Sequence, residues 1–475
     1  MKRFLWLGFV LCFYLICSGC GDTFRPIIIP NPPTFPNPKA AHTVVSINDN
    51  GTVVPGSAMV IDVSGDTDVS VVNVDIAPVH AVQQTATQVL VVNQAVTGLT
   101  PPPTGCLVTI NNQVFNVCPS ITKLNFSGTV IGGTTTISLP PSSAANFVAT
   151  TESSQAYVLL PHYIPDPVNS PNVIVPSVGV VNTQSNSLGS TKPVGNKPVA
   201  MAETPNAQKL YVANQGDNTV SGFSVLSQSQ SLSQRTISGS FNAPLWVTAR
   251  SDSQRVYVLN FNGVVSTIDT TSTAGPDNVI DASVSAPSAA YMLYDGNKNR
   301  LYIPGGTQLT ILDVSQSTPQ VLTGGPIAIQ TVAPGSRVAS DPCSLTSPQT
   351  LTVAAVAALP DGSRAYVGAY YEDTSGNFCP QVTVIDVASN TIKSSIAVPG
   401  FLAYDAFCST TRFRVTMAAG GDSSRAYLAS CDGGMVNIID TTSDTYVLNL
   451  PAPLGVRSGG QQNLPQNPVF LFAGP

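Results

Sequence analysis

Charge is what this sequence has least of, and the shortage narrows its functions at once. Only 10% of the 475 residues are charged, and 20 Lys and Arg stand against 26 Asp and Glu. The formal net charge of −6 becomes −8 if Lys2 and Arg3 leave with an N-terminal segment. A sparse, acidic chain carries no electrostatic footprint for nucleic acid. Histidine is scarcer still, with only His42, His80 and His162. Six cysteines lie beyond residue 100, none in a Cys-x-x-Cys pair, so a zinc site lacks its usual ligands. No Gly-rich phosphate loop and no Gly-x-Ser-x-Gly turn occurs, which removes the common nucleotide and serine-hydrolase chemistries. The one prominent apolar run, residues 4–17, has 14 residues. A membrane-spanning helix takes roughly 20.

That run nevertheless has a reading. Lys2 and Arg3 precede it and small residues follow, so residues 1–19 are expected to form an export signal. The segment Leu15-Ile-Cys-Ser-Gly-Cys20 resembles the bacterial lipoprotein processing site. The resemblance implies that Cys20 becomes a lipid-bearing N-terminus. Ordinary signal cleavage is the alternative, since Cys17 stands where Leu is usual. Residues 20–40 then read as a tether, because Pro26, Pro30, Pro32, Pro33, Pro36 and Pro38 favour an extended chain over helix or central strand.

Residues 41–475 are rich in Val, Thr, Ser, Gly and Asn, the composition of a secreted all-β body. A turn followed by a short apolar strand recurs along it. The clearest copies are Pro205-Asn-Ala-Gln-Lys-Leu-Tyr-Val-Ala-Asn214, Asp252-Ser-Gln-Arg-Val-Tyr-Val-Leu-Asn260 and Asp361-Gly-Ser-Arg-Ala-Tyr-Val-Gly368. The key strand position falls at Leu90, Tyr157, Tyr211, Tyr257, Tyr302, Tyr366 and Tyr427. A further strand repeats as Val265-Ser-Thr-Ile-Asp269, Leu309-Thr-Ile-Leu-Asp313, Val382-Thr-Val-Ile-Asp386 and Val436-Asn-Ile-Ile-Asp440, joined by Met59-Val-Ile-Asp62. Each terminal Asp is expected to accept backbone N–H groups at the next turn. Four short antiparallel strands per unit, repeated around an axis, describe a propeller blade. In residues 196–240 the four are read at 197–202, 209–214, 219–225 and 235–239.

Tyr211-Val-Ala-Asn214 followed by Asn218-Thr-Val-Ser221 resembles the YVTN-type β-propeller repeat of bacterial and archaeal surface proteins, over most of residues 57–453. That family implies seven blades. The strand count here points to eight. Asn467-Pro-Val-Phe-Leu-Phe-Ala-Gly474 reads as a first strand without a blade, while residues 43–47, 58–62 and 69–75 read as a blade without a first strand. One composite blade made from both termini would close the ring and leave no free strand edge.

In such a ring the first strand starts, and the second ends, at one face. On that geometry Cys343 is expected to pair with Cys379 and Cys408 with Cys431, both at that face, with Cys106–Cys118 as a local pair. The segments 97–125, 158–175 and 371–380 follow second strands and should crowd the same side. Long loops on a rigid scaffold carry binding residues. The candidates are His162, Tyr163 and Asp166 in one segment, and Tyr370, Tyr371, Glu372 and Asp373 in another. Glu152 and Glu203 are placed at the opposite face, and His80 in an inner strand as a structural histidine. No catalytic residue and no cofactor is expected. A divalent cation at Asp49, or at Asp66 and Asp68, is the nearest candidate, although the spacing fills no EF-type loop.

The expected protein is a lipid-anchored propeller outside the cytoplasm, at the outer membrane or cell surface. It would bind an envelope protein or polysaccharide and touch the membrane only through its lipid. The alternative is a propeller hydrolase or lactonase with an axial divalent metal.

Overall fold

The computed structural model describes residues 42–474, apart from 52–53, 96–105, 111–112, 117, 142, 171, 227–229, 332–342, 344–348, 374, 400–406 and 457–461. The expected signal, the lipid cysteine Cys20 and the proline tether lie outside the described residues. All described residues belong to one compact unit, Pro33–Pro475.

They form eight antiparallel blades. Blade 1 is composite: Asn467–Ala473 is innermost, followed outward by Thr43–Asp49, Pro55–Asp62 and Thr67–Ile76. Blades 2 to 8 occupy residues 78–138, 147–193, 198–235, 244–285, 293–328, 352–397 and 415–451. Each innermost strand contacts that of the next blade, and the series returns to its start. The count is therefore eight, one more than the family resemblance implies. The composite blade forms as expected, with Val45 opposite Phe472 and Ile47 opposite Phe470.

Burial explains the strand composition. Second strands such as Lys209–Asn214 are buried at every residue, because neighbouring blades cover both faces. Such strands read as continuous apolar runs rather than alternating ones. The recurring tyrosines Tyr157, Tyr211, Tyr257, Tyr302, Tyr366 and Tyr427 are all fully buried. Outer strands such as Ser187–Pro193 are half-exposed and polar.

The turn from third to fourth strand has its own signature, Asp or Asn at both ends of a five-residue stretch. Asp62, Asn182, Asp386 and Asp440 each accept a backbone N–H within the turn, from Ser64, Ser185, Ser389 and Ser443 at 2.8–2.9 Å. Four residues later, Asp66, Asn186, Asn390 and Asp444 sit at φ of 52–57°. Asn and Asp tolerate this left-handed region better than other side chains.

A basic residue two positions before the buried tyrosine ties blade to blade. Lys209 Nζ reaches Asp277 of blade 5 at 2.8 Å. Arg300 donates to Val387 O of blade 7 at 2.7 Å. Arg364 pairs with Asp444 of blade 8 at 2.8 Å, and Arg425 with Asp66 of blade 1 at 3.0 Å. The last of these clasps spans the closure.

Two local expectations change. The fourth strand of blade 4 is Ser231–Arg235, not 235–239. The following Ile237–Ser238 instead pairs in parallel with the outer strand of blade 5. The third strand of blade 2 begins at Ser120, so the insertion before it is shorter than 97–125.

Candidate functional site

Antiparallel order puts the second-to-third loops and the blade-to-blade connections on one face. That face carries the decoration. Blade 2 contributes a hairpin, Leu107–Ile110 with Gln113–Asn116, and Cys106 is bonded to Cys118 at its base. Blade 3 contributes residues 161–170 and 172–176. A second hairpin, Leu454–Val456 with Gln462–Pro465, joins blade 8 to blade 1. Cys343–Cys379 and Cys408–Cys431 fasten the connections entering blades 7 and 8. Exposed apolar side chains gather here too: Val168 (79%), Phe261 (67%) and Leu454 (67%).

The named loop residues differ in their surroundings. His162 is exposed, and its N–H donates to Ser143 O at 3.0 Å. Tyr163 packs against the core between blades 2 and 3. Asp166 accepts the Asn169 N–H at 2.9 Å, and that bond holds its carboxyl below the usual range. The second group is not a loop. The hairpin of blade 7 extends through Arg364–Glu372 and Phe378–Asp386, so Tyr370, Tyr371 and Glu372 are strand residues. As a candidate for a binding loop, Tyr371 should stand exposed. It is buried instead, its hydroxyl donating to Cys343 O at 2.8 Å, because Cys343, bonded to Cys379, packs in the same core cluster. Glu372 pairs with Arg414 at 2.5 Å, and Asp373 accepts the Ser375 and Asn377 N–H groups.

No local sequence pattern marks the axial site. Ring side chains from several inner strands meet at the axis. His80 stacks on Phe147 at 3.9 Å, and Trp246 lies edge-on to Phe147, Tyr291 and Phe413 at 5.6–5.9 Å. Phe413 and His80 both reach Phe470 of the composite blade, at 5.7 and 4.7 Å. This plug floors a cavity of about 490 Å³ that opens on the decorated face. Its walls come from the residues just before the plug, among them Val79, Asn146, Leu245 and Val469.

Residues 407–414, entering blade 8, form a strap along the cavity. Its base is fixed by Cys408–Cys431. Arg412 crosses the axis and donates to Val199 O of blade 4 and to Leu245 O of blade 5. Its guanidinium lies over Trp246 (4.7 Å), Phe147 and Phe413 (both 5.5 Å). Protein walls lie around the group, but the Arg412 side chain itself is exposed at the cavity. The enclosing protein lowers its pKa to about 10, so it stays charged at neutral pH. No carboxylate among the described residues pairs with it. A second cavity, about 260 Å³, lies on the strap's other side against blades 6 and 7 and also includes Arg412.

His80 is fully enclosed beside this charge. Burial, and then Arg412, lower its pKa to about 3, so it is a neutral ring in the plug. Its Nδ1 faces the Val148 N–H at 3.5 Å. Asp49 lines the cavity and accepts the Gly51 N–H at 2.9 Å. Asp66 is taken by Arg425. Among the described residues no cluster of three or more His, Cys, Asp or Glu is placed to hold a metal ion.

Glu203 ends the first strand of blade 4, at the face opposite the insertions, and accepts the Thr151 N–H at 2.7 Å. Burial pushes its carboxyl up to about 8, and the charge of Glu152 adds to the shift. The raised folded value means the native state keeps this proton between about pH 4.5 and 8. The associated stability is present below that window and is lost as pH rises through 8. Melting Glu203→Gln alongside the parent from pH 5 to 8.5 should show the variant a few degrees higher at pH 8.5 and little changed at pH 5. Equal melting curves at both ends would contradict this.

No protein-family model and no curated protein sequence matches the chain. Solved structures do. The protein AztD from Citrobacter koseri, in its apo form, is 10% identical with a TM-score of 0.52, covering 90% of this chain and 97% of that one. The dihydro-heme d1 dehydrogenase NirN is 12% identical with a TM-score of 0.52, covering 89% and 77%. A functionally unknown protein from Desulfotomaculum acetoxidans is 11% identical with a TM-score of 0.50, covering 75% and 95%. At these identities the likeness concerns the fold alone, and the resemblance to the YVTN repeat likewise holds at the level of the propeller.

Proposed function

We propose that this protein is a binding module of the cell envelope, tethered through Cys20, that engages an envelope protein or polysaccharide with its decorated face. The observation that carries the reading is the asymmetry of the disk. One face gathers the hairpins, the disulfides, the most exposed apolar side chains and the axial cavity. The other consists of tight turns closed by Asp and Asn. Rigid scaffolds place recognition on loops of this kind. Three disulfides fit an oxidising compartment outside the cytoplasm.

The alternative of an axial divalent metal is opposed by charge. An ion at the axis would sit beside the Arg412 guanidinium, and like charges at short range against a protein wall repel. The three glutamates are elsewhere: Glu152 and Glu203 at the far face, Glu372 engaged by Arg414.

Site-specific photo-crosslinking in intact cells tests the proposal. A photoreactive side chain at position 168, 261 or 454 should give discrete adducts or a polysaccharide smear, and one at Asp422 on the far face should give none. A parallel Cys20→Ser chain should leave the membrane pellet. Adducts distributed equally over both faces, or none from any position, would reject the binding-face reading. A Cys20→Ser chain that still pellets would reject the tether.

A further inference from the structure

Arg412 is unlike most other arginines among the described residues, although Arg300 too donates to a backbone carbonyl, Val387 O. Arg235, Arg250, Arg255, Arg364, Arg414 and Arg425 each pair with an aspartate. Arg412 has only two backbone carbonyls. A guanidinium carries five N–H donors in a planar fork, so three of its donors have no protein acceptor among the described residues. The two carbonyls and the rings of Trp246, Phe147 and Phe413 fix the fork in position without neutralising it. The strap that presents it is itself held by Cys408–Cys431 and Asn467, whose amide donates to Cys431 O at 3.0 Å. A charged donor is thus pre-positioned in a cavity of about 490 Å³, within the usual size range of small-ligand sites.

We propose that the axial cavity is a carboxylate-binding site in which the Arg412 fork receives the carboxylate of a small acidic ligand. Guanidinium and carboxylate match as planar, two-pronged partners, which gives both strength and orientation. The low-dielectric protein wall beside the fork makes the pair stronger than it would be in bulk water. Asn146 and Thr411 also line the wall, their side chains donating to Pro198 O and Cys408 O. Asp49, the one carboxylate among the described lining residues, is turned into the Gly51 hairpin. The carboxylate could belong to an acidic sugar or to a peptide terminus, and the two sources share this chemistry. The proposal rests on the decorated face being the binding face.

Trp246 reports directly on the site, because Trp6 is the only other tryptophan of the chain. In a full-length Trp6→Phe protein, glucuronate or free Ala-Ala should change the Trp246 emission saturably. The methyl ester of glucuronate and amidated Ala-Ala should bind at least tenfold more weakly. Response to glucuronate alone assigns an acidic sugar, and response to the dipeptide alone a peptide terminus. Arg412→Gln should lose at least tenfold in affinity, and Arg412→Lys should fall between. If Arg412→Gln fails to fold, the acid-versus-ester and acid-versus-amide ratios on the parent decide. No saturable response to either acid, equal binding of the neutral forms, or parental affinity in a folded Arg412→Gln would overturn the proposal. Crosslinks at positions 168, 261 and 454 without carboxylate binding would fault the cavity and spare the face.

Discussion

A chain lacking residues 465–475 is expected to lose its cooperative fold. The deletion removes Asn467–Ala473, all seven residues of which are buried. Val469, Phe470, Leu471 and Phe472 would leave a groove between blades 8 and 2, since this strand packs on the inner strands of both. Fully burying each such side chain is worth roughly 1.5–3 kcal/mol, and four of them approach the roughly 5–15 kcal/mol that separates typical native and unfolded states. Loss of Phe470 also opens the plug beneath the axial cavity. The remaining Thr43–Asp49 would become an unpaired inner edge, the kind that recruits other chains. Thermal melting by circular dichroism, with size-exclusion chromatography, checks this. The truncated chain should melt broadly or aggregate. A sharp transition at the parental temperature would mean that ring closure contributes little.

The parts of this fold that can be read from the sequence are those that repeat at short range. Blades 3 to 8 each carry their own turn residues, apolar second strand and buried tyrosine, and blade 2 has Leu90 in the tyrosine's place; the shortest spacing, about 45 residues, is the period of a propeller repeat. Eight blades and their composite closure follow from matching short segments, including the stray strand at 467–474. The clasp is half visible. Lys209, Arg255, Arg300, Arg364 and Arg425 stand two residues before a tyrosine, but only the stacked blades show that they reach the next unit. The axial site is invisible for the opposite reason. Arg412 lies in a connection that matches no other, and its partners Val199 and Leu245 are 213 and 167 residues away. Nothing local separates it from an ordinary surface arginine. Tyr371 shows the same limit. Its neighbours in sequence, Glu372 and Asp373, are polar, whereas its cover arrives from Cys343 in another connection.

Replacing Asp277 with Ala is expected to destabilise the protein by about 3–5 kcal/mol, the usual consequence of removing one side of a buried ion pair. Its carboxylate is fully buried and accepts from Lys209 Nζ at 2.8 Å, Arg235 Nε at 2.9 Å and Tyr211 Oη at 2.8 Å. The two cations are themselves buried, with side chains 9% and 6% exposed. Alanine would leave both without their counter-charge in an enclosed site. The location multiplies the effect. Lys209 and Arg235 belong to blade 4 and Asp277 to blade 5, and the backbone beside Asp277 pairs in parallel with Ile237–Ser238, the link between those blades. The Asp444 clasp provides the comparison, because its partners Arg364 and Lys393 are 22% and 40% exposed and can recover water when the carboxylate goes. Asp444→Ala should therefore cost clearly less than Asp277→Ala. Denaturant and thermal melts of the two variants side by side measure the order. Equal losses, or an Asp277→Ala variant within about 1 kcal/mol of the parent, would mean that apolar packing alone holds blades 4 and 5 together. A triple variant that replaces Lys209, Arg235 and Asp277 with apolar residues should recover much of the loss, since what destabilises the single variant is the pair of stranded cations rather than the missing attraction.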